Sequence, residues 1–392
     1  MIIGELTETY PPQRDGVGRV TMAYCQALEK AGHTVYYIAP EDPNHTSVEG
    51  LNTILYKSVH IPGQNYQLGL GALSWDFKKQ IREIPFDILH IHSPFLSAAI
   101  AKDMTDIRPD LPVVATFHSK YYDDFYRATH SKLLAKNVVN GIVRVYNRCD
   151  AVWTVNQETA QVLHEYGFQG NIQVAPNGTN VHDIDYDRAA ETRSRLGLAE
   201  DRTVLLFVGQ IDDKKNISSI LRACAILKRQ GMVFTLLLAG TGPNREELEK
   251  LRDELELTDR VGFLGFVSNV DELRSLYTLA DLFVFPSVYD NAPMVVREAA
   301  ACGTPAVLVR GSCSAESVIE GSYFYGEVLS SIYDVNSPED IARCIREALP
   351  RAATVGMRAR ATIPKPWDEI IQNVIQQYEA LIAAKKGKEK DG

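Results

Sequence analysis

Two carboxylates in one short segment are the residues that most suggest chemistry. Asp290 and Glu298 are eight positions apart, and Pro293 and Gly303 suit the first turn and the end of a helix that carries Glu298. Eight helical residues span roughly 12 Å, whereas the paired carboxyl groups of retaining glycoside hydrolases lie about 5 Å apart. The spacing therefore argues against hydrolysis and predicts that Asp290 and Glu298 hold the two ends of a long ligand.

A second segment has the features of a phosphate clamp. Gly209 follows an apolar run, and Lys214 and Lys215 come just before a predicted helix that begins at Asn216. Lysine supplies a point charge, and the start of a helix supplies backbone N–H groups that have no partner within the helix. The alternative is a turn with two solvated lysines.

Two glycine-containing loops give weaker signals of the same kind. Gly16 and Gly18 precede a helix that runs to about Lys30, so the backbone there could approach an anion closely or form a flexible turn. No third glycine completes a dinucleotide-binding fingerprint, and the loop Gly240–Pro243 does not match the GxxxxGK[ST] pattern of a P-loop.

A histidine follows one predicted strand directly. His118 comes after the apolar run Val113–Phe117, and the carboxyl ends of parallel strands are where α/β proteins bind ligands. A structural role suits a single histidine equally well, and His90 and His92 also lie at the end of a predicted strand. His118 is thus a candidate site residue with a structural alternative.

No pattern indicates a metal site. The six cysteines are scattered without a CxxC pair, and we expect them to be reduced and mostly buried. Asp183 and Asp185 have the DxD spacing that some transferases use to hold a divalent cation, but they lie in a polar stretch and not at the end of a strand. We therefore expect neither a metal ion nor a cofactor.

Alternating strands and helices position these residues. The apolar runs that predict strands are Thr34–Ala39, Phe86–His92, Val113–His118, Ala151–Asn156, Asn171–Ala175, Thr203–Gly209, Val233–Gly240, Val261–Val267, Asp281–Pro286 and Pro305–Val309. Near-continuous apolar runs are typical of parallel strands that helices cover on both faces. The repeated alternation predicts α/β architecture with doubly wound parallel sheets.

The alternation occurs twice, which predicts two Rossmann-like domains. A chain of 392 residues is also long for one core. We place the first domain at 1–181, the second at 182–366, a C-terminal helix that crosses back to the first domain at 367–384, and a disordered charged tail at 385–392. Two such domains predict a binding site in the cleft between them.

The composition limits the partners. A formal net charge of −9 argues against broad nucleic-acid binding, which needs a basic face. The sequence starts in a strand-like run without the pattern of a signal peptide, and it has no run of 18 apolar residues. We expect a cytoplasmic protein.

The ordered set of motifs resembles the retaining GT-B glycosyltransferases of family 4 over nearly the whole chain. The motifs are Thr9–Pro12 with Gly16, His118, Pro176–Gly178, Gly209–Lys215, Gly240–Pro243 and Ser287–Pro305. The resemblance implies a GT-B fold with the donor site in the interdomain cleft. It also implies a metal-independent hexosyltransferase that uses a nucleotide sugar, with UDP-glucose favoured over GDP-mannose. In such an enzyme the acceptor attacks the sugar on the same face as the leaving group, and no protein nucleophile takes part.

The resemblance further implies roles for single residues. Glu298 would bind the ribose of the nucleotide, and Lys215 would neutralise the diphosphate. Asp290 and His118 would lie beside the transferred sugar and share the catalytic role with Lys215. The other donor-binding positions are Gly16, Gly18, Gln210 and Gly240. Five further positions would act through backbone N–H groups: Asn291, Ala292, Pro293, Met294 and Val295.

Two positions depart from the family pattern. Asp290 stands where the family's E-x7-E motif has its first glutamate, so this carboxylate is one methylene shorter and the identity of the sugar is in doubt. Gln210 stands where the family has an arginine, so one charge partner of the diphosphate is missing. Lys214 or Arg14 could compensate for it.

The acceptor is open: a lipid, a saccharide or a small molecule. Basic and apolar residues alternate in the stretch 121–148, which suits contact with an anionic membrane surface, and lipid-using members of the family bind membranes through this region. An ordinary surface helix is the alternative. Two other functions also remain open, a catalytically silent binding protein and a GT-B nucleotide-sugar epimerase.

Overall fold

The computed structural model describes residues 1–10, 16–42, 50–60, 67–71, 74–180, 184–316, 318–319, 321–326, 337–363 and 365–388. The chain forms two compact units. Unit 1 contains Met1–Asn177 and Trp367–Gly392, and unit 2 contains Gly178–Pro366.

Unit 1 is built on a parallel seven-stranded sheet in the order β3-β2-β1-β6-β7-β8-β9. Its strands, with those of a small antiparallel hairpin (β4 and β5), are β1 (Ile2–Leu6), β2 (Thr34–Pro40), β3 (Asn52–Tyr56), β4 (Ser58–His60), β5 (Gln67–Gly69), β6 (Ile88–Ile91), β7 (Val113–Phe117), β8 (Ala151–Thr154) and β9 (Ile172–Val174). Strands β1, β6 and β7 are almost wholly buried, which explains why most of their residues are apolar, although β1 contains Glu5 and β6 contains His90.

Helices cover this sheet. They are α1 (Gly16–Lys30), α2 (Trp75–Glu83), α3 (Leu96–Ile107), α4 (Tyr121–Thr129), α5 (Lys132–Tyr146), α6 (Gln157–Glu165) and α15 (Trp367–Lys388). Side-chain caps fix several helix starts: Ser131 accepts from the Leu134 N–H at the start of α5, and Asn156 accepts from the Thr159 N–H at the start of α6.

Unit 2 is built on a parallel six-stranded sheet in the order β12-β11-β10-β13-β14-β15. Its strands are β10 (Thr203–Val208), β11 (Phe234–Ala239), β12 (Val261–Gly265), β13 (Leu282–Val284), β14 (Ala306–Val309) and β15 (Phe324–Gly326). Its helices are α7 (Tyr186–Arg195), α8 (Ile217–Arg229), α9 (Arg245–Glu254), α10 (Val270–Leu279), α11 (Met294–Ala301), α12 (Cys313–Glu316), α13 (Pro338–Ala348) and α14 (Ala352–Thr362), with 3-10 turns at Asp213–Lys215 and Leu349–Arg351.

All ten predicted strands are present, most of them one or two residues shorter at an end. The prediction did not include β3, β15 or the β4–β5 hairpin. Strand β15 has only three residues, and β3 lies at the edge of its sheet and begins with Asn52 and Thr53. Short or edge strands lack the continuous apolar run that reveals a central parallel strand.

The C-terminal helix is part of unit 1 and is longer than predicted. Helix α15 packs against α1, and the ring of Trp367 lies 5.5 Å from that of Tyr24. The predicted disorder from residue 385 is not observed up to Lys388, because Lys385 forms a 3.0 Å ion pair with Asp150 and bonds the Pro109 carbonyl oxygen. Positive charge in the last turn also suits the negative end of the helix dipole. Residues 389–392 lie outside the described part of the chain.

Candidate active site

Each sheet has a topological switch point. In unit 1, β1 lies between β2 and β6, and in unit 2, β10 lies between β11 and β13. Where the chain connections leave a sheet in opposite directions, the loops after the strands separate and leave a crevice in which α/β proteins bind ligands. Most of the predicted site residues follow these strands.

In unit 2, Lys215 and Asp290 form an ion pair at the switch point. Lys215 ends the 3-10 turn after β10, and Asp290 lies in the loop between β13 and α11. The Lys215 Nζ donates to both carboxylate oxygens of Asp290 at 2.7 Å, and the Ser287 hydroxyl also bonds this carboxylate. The side chains of Lys215 and Asp290 are 15% and 22% exposed, so solvent can reach the pair. Two residues predicted to contact different parts of one ligand thus contact each other.

Two polar side chains beside this pair are not satisfied by protein. Asp212 Oδ1 and Asn216 Nδ2 are buried and have no hydrogen-bond partner in the part of the chain that the structure describes. Burial raises the pKa of the Asp212 carboxyl and the charge of Asp290 adds to this rise, while Lys215 and Lys214 oppose it. Buried polar groups without partners are rare in folded proteins and are compatible with a site that a polar ligand completes.

Glycines let two loops of unit 2 approach each other. Gly209 and Gly240 follow the neighbouring strands β10 and β11, and the Gly209 N–H donates to the Ala239 carbonyl oxygen at 3.0 Å. A Cβ atom on Gly240 would overlap the carbonyl oxygen of Gly209. The packing of the two loops alone therefore requires glycine at 240, and its role in donor binding stays a prediction.

Glu298 is held inside unit 2 on α11. Its side chain is buried, and Glu298 Oε2 accepts a 3.0 Å hydrogen bond from the hydroxyl of Tyr277 on α10. The segment before the helix lies close by in sequence, with Asn291 and Val295 buried and Ala292 and Met294 half-buried.

Pro293 needs a correction. It is the residue that precedes the first turn of α11, and a proline has no backbone N–H. It therefore cannot donate to a ligand as predicted, and its ring sets the start of the helix instead.

Three further candidates concern the charge that the family's arginine would supply. Gln210, in the place of the family's arginine, is exposed. The Lys214 Nζ lies 6.0 Å from the centre of the Tyr289 ring, at the outer limit of a cation–π contact. Arg14, the second candidate to compensate for the missing arginine, lies outside the described residues.

Unit 1 has a buried network of polar side chains at its own switch point. Its members, which we call the unit 1 network, are Glu5, His90, His92, Thr116, His118 and Tyr378. Glu5 and His90 face each other in the register of β1 and β6, and His92 follows β6 directly. The exposed fraction is 0% for Glu5, His90 and His92 and 9% for His118.

Hydrogen bonds connect the network continuously. Glu5 Oε2 lies 2.7 Å from His92 Nε2, and His92 Nδ1 lies 3.0 Å from His118 Nε2. On the other side, the Tyr378 hydroxyl lies 3.0 Å from Glu5 Oε1 and 2.6 Å from His90 Nδ1. The Thr116 hydroxyl lies 2.6 Å from His90 Nε2. His118, predicted from its place after β7, is thus connected through His92 to Glu5.

The network shifts the pKa values of its members. Burial alone would raise the pKa of Glu5, but His90 and His92 lower it to about 2, so the carboxylate is ionised at neutral pH. Burial lowers the pKa of His92 to about 4, against the opposing effect of Glu5, and burial also lowers the pKa of His118 well below its usual value. Both rings are therefore neutral at pH 7.

Glu5, His90 and His92 also carry the donor types of a metal site, with one donor atom of each within 4.8 Å of the others. The hydrogen bonds described above engage both nitrogens of each ring, and aromatic rings of Tyr24 and Trp153 pack against His90 at 5.5 and 5.2 Å. We therefore treat the cluster as a hydrogen-bonded network.

The DxD segment has a local structural role in its described part. Asp185 precedes α7, and its Oδ1 accepts a 3.0 Å hydrogen bond from the Arg188 N–H. This is an N-cap, which needs no cation. Asp183 lies outside the described residues.

Gly16 and Gly18 begin α1 after β1. Gly18 is buried, whereas a Cβ atom on Gly16 would meet no atom within 4 Å. Packing therefore does not require glycine at 16, which leaves close approach of a ligand as one reason for it. The segment 11–15 before it lies outside the described residues.

Two family models match the chain. The model described as "Glycosyltransferase Family 4" matches residues 14–183, and the model described as "Glycosyl transferases group 1" matches residues 189–360. Together the two matches include most of unit 1 and unit 2. The chain belongs to glycosyltransferase family 4.

Individual relatives and solved structures agree with this. An alpha-monoglucosyldiacylglycerol synthase of Streptococcus pneumoniae is 28% identical over 366 residues, which cover 89% of this chain and 78% of the relative. Sucrose-phosphate synthase from Thermosynechococcus elongatus superimposes with a TM-score of 0.78 at 23% identity and covers 98% of this chain and 99% of its own. HepE of Anabaena in complex with UDP-glucose superimposes with a TM-score of 0.76 at 18% identity and covers 97% and 100%.

These comparisons confirm three predictions: the family, the GT-B fold and a hexosyltransferase. The alternative of a catalytically silent binding protein is wrong, because the relatives that match most of the chain are named as enzymes of sugar transfer. The residues assigned to the site stay predictions.

Analysis of the sequence missed several side chains that the fold adds to these sites, and four of them show why. Ser287 and Asp212 lie beside the Lys215–Asp290 pair, and Glu5 and Tyr378 belong to the unit 1 network. Glu5 left a detectable signal, because an acidic residue inside the apolar run Ile2–Leu6 of a family 4 chain predicts a buried charge that needs partners. Tyr378 left none, since helix α15 carries it to Glu5 from 373 positions away.

The stretch 121–148 forms α4 and α5, and its apolar residues divide between two environments. Val139 and Ile142 of α5 are buried in unit 1. Leu133 and Leu134, in the first turn of α5, are 70% and 52% exposed. Among the described residues, no helix combines the length and the hydropathy that a transmembrane span needs.

Proposed function

We propose that this family 4 enzyme transfers glucose from UDP-glucose to a lipid acceptor at a membrane surface, with retention of configuration and without a metal ion. The observation that carries the proposal is the Lys215–Asp290 pair at the switch point of unit 2, 2.7 Å apart and open to solvent. A lysine in this position can neutralise a leaving diphosphate, which is the task that a divalent cation has in other transferases.

The donor site that we propose extends from Glu298 to Asp290. Glu298 would accept hydrogen bonds from the ribose hydroxyls, and Lys215 would bind the diphosphate next to it. Asp290, released from Lys215 by the incoming phosphate, would accept hydrogen bonds from the sugar. The orphaned Asp212 Oδ1 and Asn216 Nδ2 support a polar ligand beside Lys215.

The reaction needs no protein nucleophile. The bond from the anomeric carbon to the β-phosphate oxygen breaks, and the acceptor hydroxyl oxygen bonds that carbon on the same face. The acceptor proton moves to the departing phosphate oxygen, and UDP leaves with the charge that Lys215 stabilises. Charge stabilisation of this kind is the main contribution that we assign to the protein.

UDP-glucose is favoured as the donor because HepE, which shares the fold, was solved with UDP-glucose, and because the pneumococcal relative is named as a glucosyl-lipid synthase. GDP-mannose is the alternative donor. Asp290 in place of glutamate shortens the reach toward the sugar, so the donor assignment needs a direct test.

A lipid acceptor is favoured by the start of α5. Leu133 and Leu134 are exposed between Lys132 and Lys136, which are exposed as well. Apolar side chains that point to solvent among lysines suit the interface of an anionic bilayer. The name of the pneumococcal relative, a diacylglycerol glycolipid synthase, points to the same class of acceptor. Peripheral binding to the cytoplasmic face of a membrane follows from this proposal.

The test is turnover of UDP-glucose with vesicles of anionic phospholipid that contain diacylglycerol. We expect UDP release matched by a glucolipid with an α-linkage in its NMR spectrum, and the same rate in the presence of EDTA. A β-linked product contradicts retention, and loss of activity in EDTA contradicts metal independence. UDP release only with soluble saccharides contradicts the lipid acceptor, and conversion of the donor to an isomeric UDP-sugar indicates an epimerase.

A double variant, Leu133→Ser with Leu134→Ser, separates membrane contact from chemistry. It should lose binding to anionic vesicles while it keeps slow hydrolysis of UDP-glucose in their absence. The matched control is Val174→Ser, which changes an exposed apolar residue of β9 elsewhere in unit 1. Equal vesicle binding by the double variant and the control contradicts the membrane contact.

A further inference from the structure

Asn216 directly follows Lys215 in unit 2, between the 3-10 turn after β10 and the first turn of α8. It is 3% exposed, and its backbone has a φ of 57°, in the left-handed region. Asparagine adopts this conformation more readily than most residues other than glycine. The backbone alone could therefore explain an asparagine here, so its side chain has to be considered separately.

Two other asparagines of the chain precede helices, and their side chains cap those helices. At α6 and α10, Asn156 Oδ1 and Asn269 Oδ1 accept hydrogen bonds from backbone N–H groups of the first turn. Both residues have extended backbone, the usual conformation of an N-cap. Asn216 makes no such bond to α8, all of whose residues the structure describes. Its side chain thus does not serve the helix that it precedes.

The amide nitrogen of Asn216 is a buried donor. Its Nδ2 atom has no hydrogen-bond acceptor within the described part of the chain. An unpaired buried donor costs free energy, because its N–H groups have lost their hydrogen bonds to water. Glycine would provide the same backbone conformation without this cost. The presence of an amide is therefore better explained by an acceptor that a ligand supplies than by the backbone.

The surroundings of this amide favour an anionic ligand. The start of the 13-residue helix α8 presents backbone N–H groups and the positive end of the helix dipole. The Lys215 ammonium of the same turn bonds Asp290 in the loop before α11. The Ser287 hydroxyl of that loop lies 3.3 Å from the Lys214 carbonyl oxygen, which is a second contact between turn and loop. An anion that separates the ion pair would therefore meet the donors at the start of α8.

We propose that Asn216 is a further donor-binding residue, whose side-chain amide donates a hydrogen bond to the β-phosphate of the nucleotide sugar beside Lys215. This inference rests on the proposed function, which places the leaving diphosphate at Lys215. An ammonium group is a point charge on a flexible side chain, whereas the amide of a buried asparagine donates in a defined direction. Asn216 would thus orient the phosphate that Lys215 neutralises.

The burial of the amide determines when this hydrogen bond forms. With Lys215 paired to Asp290, the Asn216 amide nitrogen is shielded from solvent. We place its contact with the phosphate in the step in which Lys215 exchanges Asp290 for the diphosphate, because Lys215 and Asn216 are consecutive residues of one turn. A hydrogen bond to a charged oxygen in a shielded position is stronger than the same bond in water.

Two substitutions separate the amide from the backbone. Asn216→Gly keeps the left-handed conformation, which glycine adopts without strain, and removes the amide. Asn216→Asp keeps the size of the side chain and replaces the N–H donors with a carboxylate, which only accepts hydrogen bonds and repels phosphate. The matched control is Asn269→Gly, the same change at the exposed N-cap of α10, where glycine is also accepted.

The experiment is calorimetric titration of each protein with UDP and with UMP, which lacks the β-phosphate. We expect Asn216→Gly to bind UDP about 10- to 100-fold more weakly and UMP within about twofold of the wild type, because one hydrogen bond to a charged group is lost. Asn216→Asp should lose at least as much affinity for UDP. Asn269→Gly should keep both affinities, and the midpoint of urea unfolding of Asn216→Gly should stay close to that of the wild type.

Three outcomes would overturn the inference. Wild-type affinity for UDP in folded Asn216→Gly means that the asparagine serves the backbone alone. Equal losses for UDP and UMP exclude the β-phosphate as the partner. Where Asn216→Gly does not fold, wild-type affinity for UDP in Asn216→Asp excludes the amide.

Lys215→Ala in the same titrations tests the proposed function separately. If Lys215→Ala loses the preference for UDP over UMP and Asn216→Gly keeps it, only the role of Asn216 is wrong. If both variants keep this preference, the diphosphate does not bind at this turn, and both proposals are wrong.

Discussion

Both units have charged side chains at the switch point of the sheet, but unit 1 buries them whereas unit 2 leaves them partly exposed. In unit 1, the network around Glu5 is carried by strands, strand ends and helix α15, and Glu5 has no exposed surface. In unit 2, Lys215 and Asp290 are carried by loops after β10 and β13 and are partly exposed. A buried charge keeps its partners because separation would leave it uncompensated, whereas a solvated pair can exchange a partner at little cost. The unit 1 network is therefore suited to orient groups, and the unit 2 pair is suited to bind and release an anion.

Among the tests of this contrast, the largest effect on activity is expected for Lys215→Ala. If the lysine stabilises the leaving diphosphate, kcat/KM for UDP-glucose should fall by about 100- to 1,000-fold, the usual effect of removing one such group. Stability should fall by about 1–3 kcal/mol, between the effect of losing an exposed ion pair and that of breaking a buried one, because the pair is only partly exposed. Initial rates of UDP release and urea unfolding measure the two quantities.

The control for this variant is Lys250→Ala, the same change on an exposed face of α9. It should keep the wild-type rate. A fall of less than fivefold in Lys215→Ala would mean that the ion pair with Asp290 is structural.

Acid should destabilise unit 1 more than unit 2. Burial lowers the pKa of His92 from 6.5 to about 4, so unfolded chain binds this proton at higher pH than folded chain does. The contribution of His92 to the free energy of unfolding is fully present above pH 6.5 and is lost as the pH falls toward about 4. A pKa shift of this size corresponds to about 3 kcal/mol. His118 acts in the same direction. Glu8 opposes both, because burial raises its pKa.

The chain offers a probe for each unit. Its three tryptophans, at positions 75, 153 and 367, are all in unit 1, so their emission during urea unfolding at pH 7.5 and pH 5.0 follows unit 1 alone. Hydrogen exchange of peptides from β10 and β11 follows unit 2, in which His182 is the one histidine of the sequence. An equal loss of stability in both units would contradict the contrast.

A smaller effect is expected for Glu298→Gln. The change removes the charge that we assign to the ribose, and hydrogen bonds to charged groups contribute about 1.5–3 kcal/mol, so UDP should bind about 10- to 100-fold more weakly. The fold should be unaffected, because the amide oxygen still accepts from the Tyr277 hydroxyl. Calorimetric titration with UDP measures the affinity, and Glu254→Gln on an exposed part of α9 is the matched change. Wild-type affinity in Glu298→Gln would exclude the ribose assignment.

The smallest effect is expected for Gln210→Arg, which restores the family's arginine. A guanidinium group can bind the diphosphate through two parallel hydrogen bonds, so KM for UDP-glucose should fall about three- to tenfold. Because Gln210 is exposed, the gain should shrink when the ionic strength is raised. An unchanged KM at low salt would show that residue 210 does not reach the diphosphate.

The sequence predicted the elements of the fold better than the contacts of the site. Buried parallel strands such as β7 and β11 are apolar except for one threonine each, so they can be recognised without a structure. The segment of α11 was also recognisable, because Pro293 and Gly303 mark its ends.

The partners of the site residues could not be predicted in this way. Lys215 and Asp290 are 75 positions apart, and each was assigned to the ligand rather than to the other. His92 and His118 follow different strands, and only the order of the sheet brings His92 Nδ1 and His118 Nε2 to 3.0 Å. Local sequence determines where a helix or strand forms, whereas such distances depend on the register of the whole sheet.

Helix α15 also determines the order in which the protein can be completed during synthesis. Unit 2 is continuous, from Gly178 to Pro366, and all of it is synthesised before the last part of unit 1. Until Tyr378 emerges, Glu5 lacks one of its hydrogen-bond donors, and Trp367 has not yet packed against Tyr24. Domains generally fold as units as they are synthesised. In this protein, α15 completes unit 1 after the whole of unit 2 has been synthesised, so a chain that ends before α15 contains all residues of unit 2 but lacks one hydrogen-bond donor to Glu5.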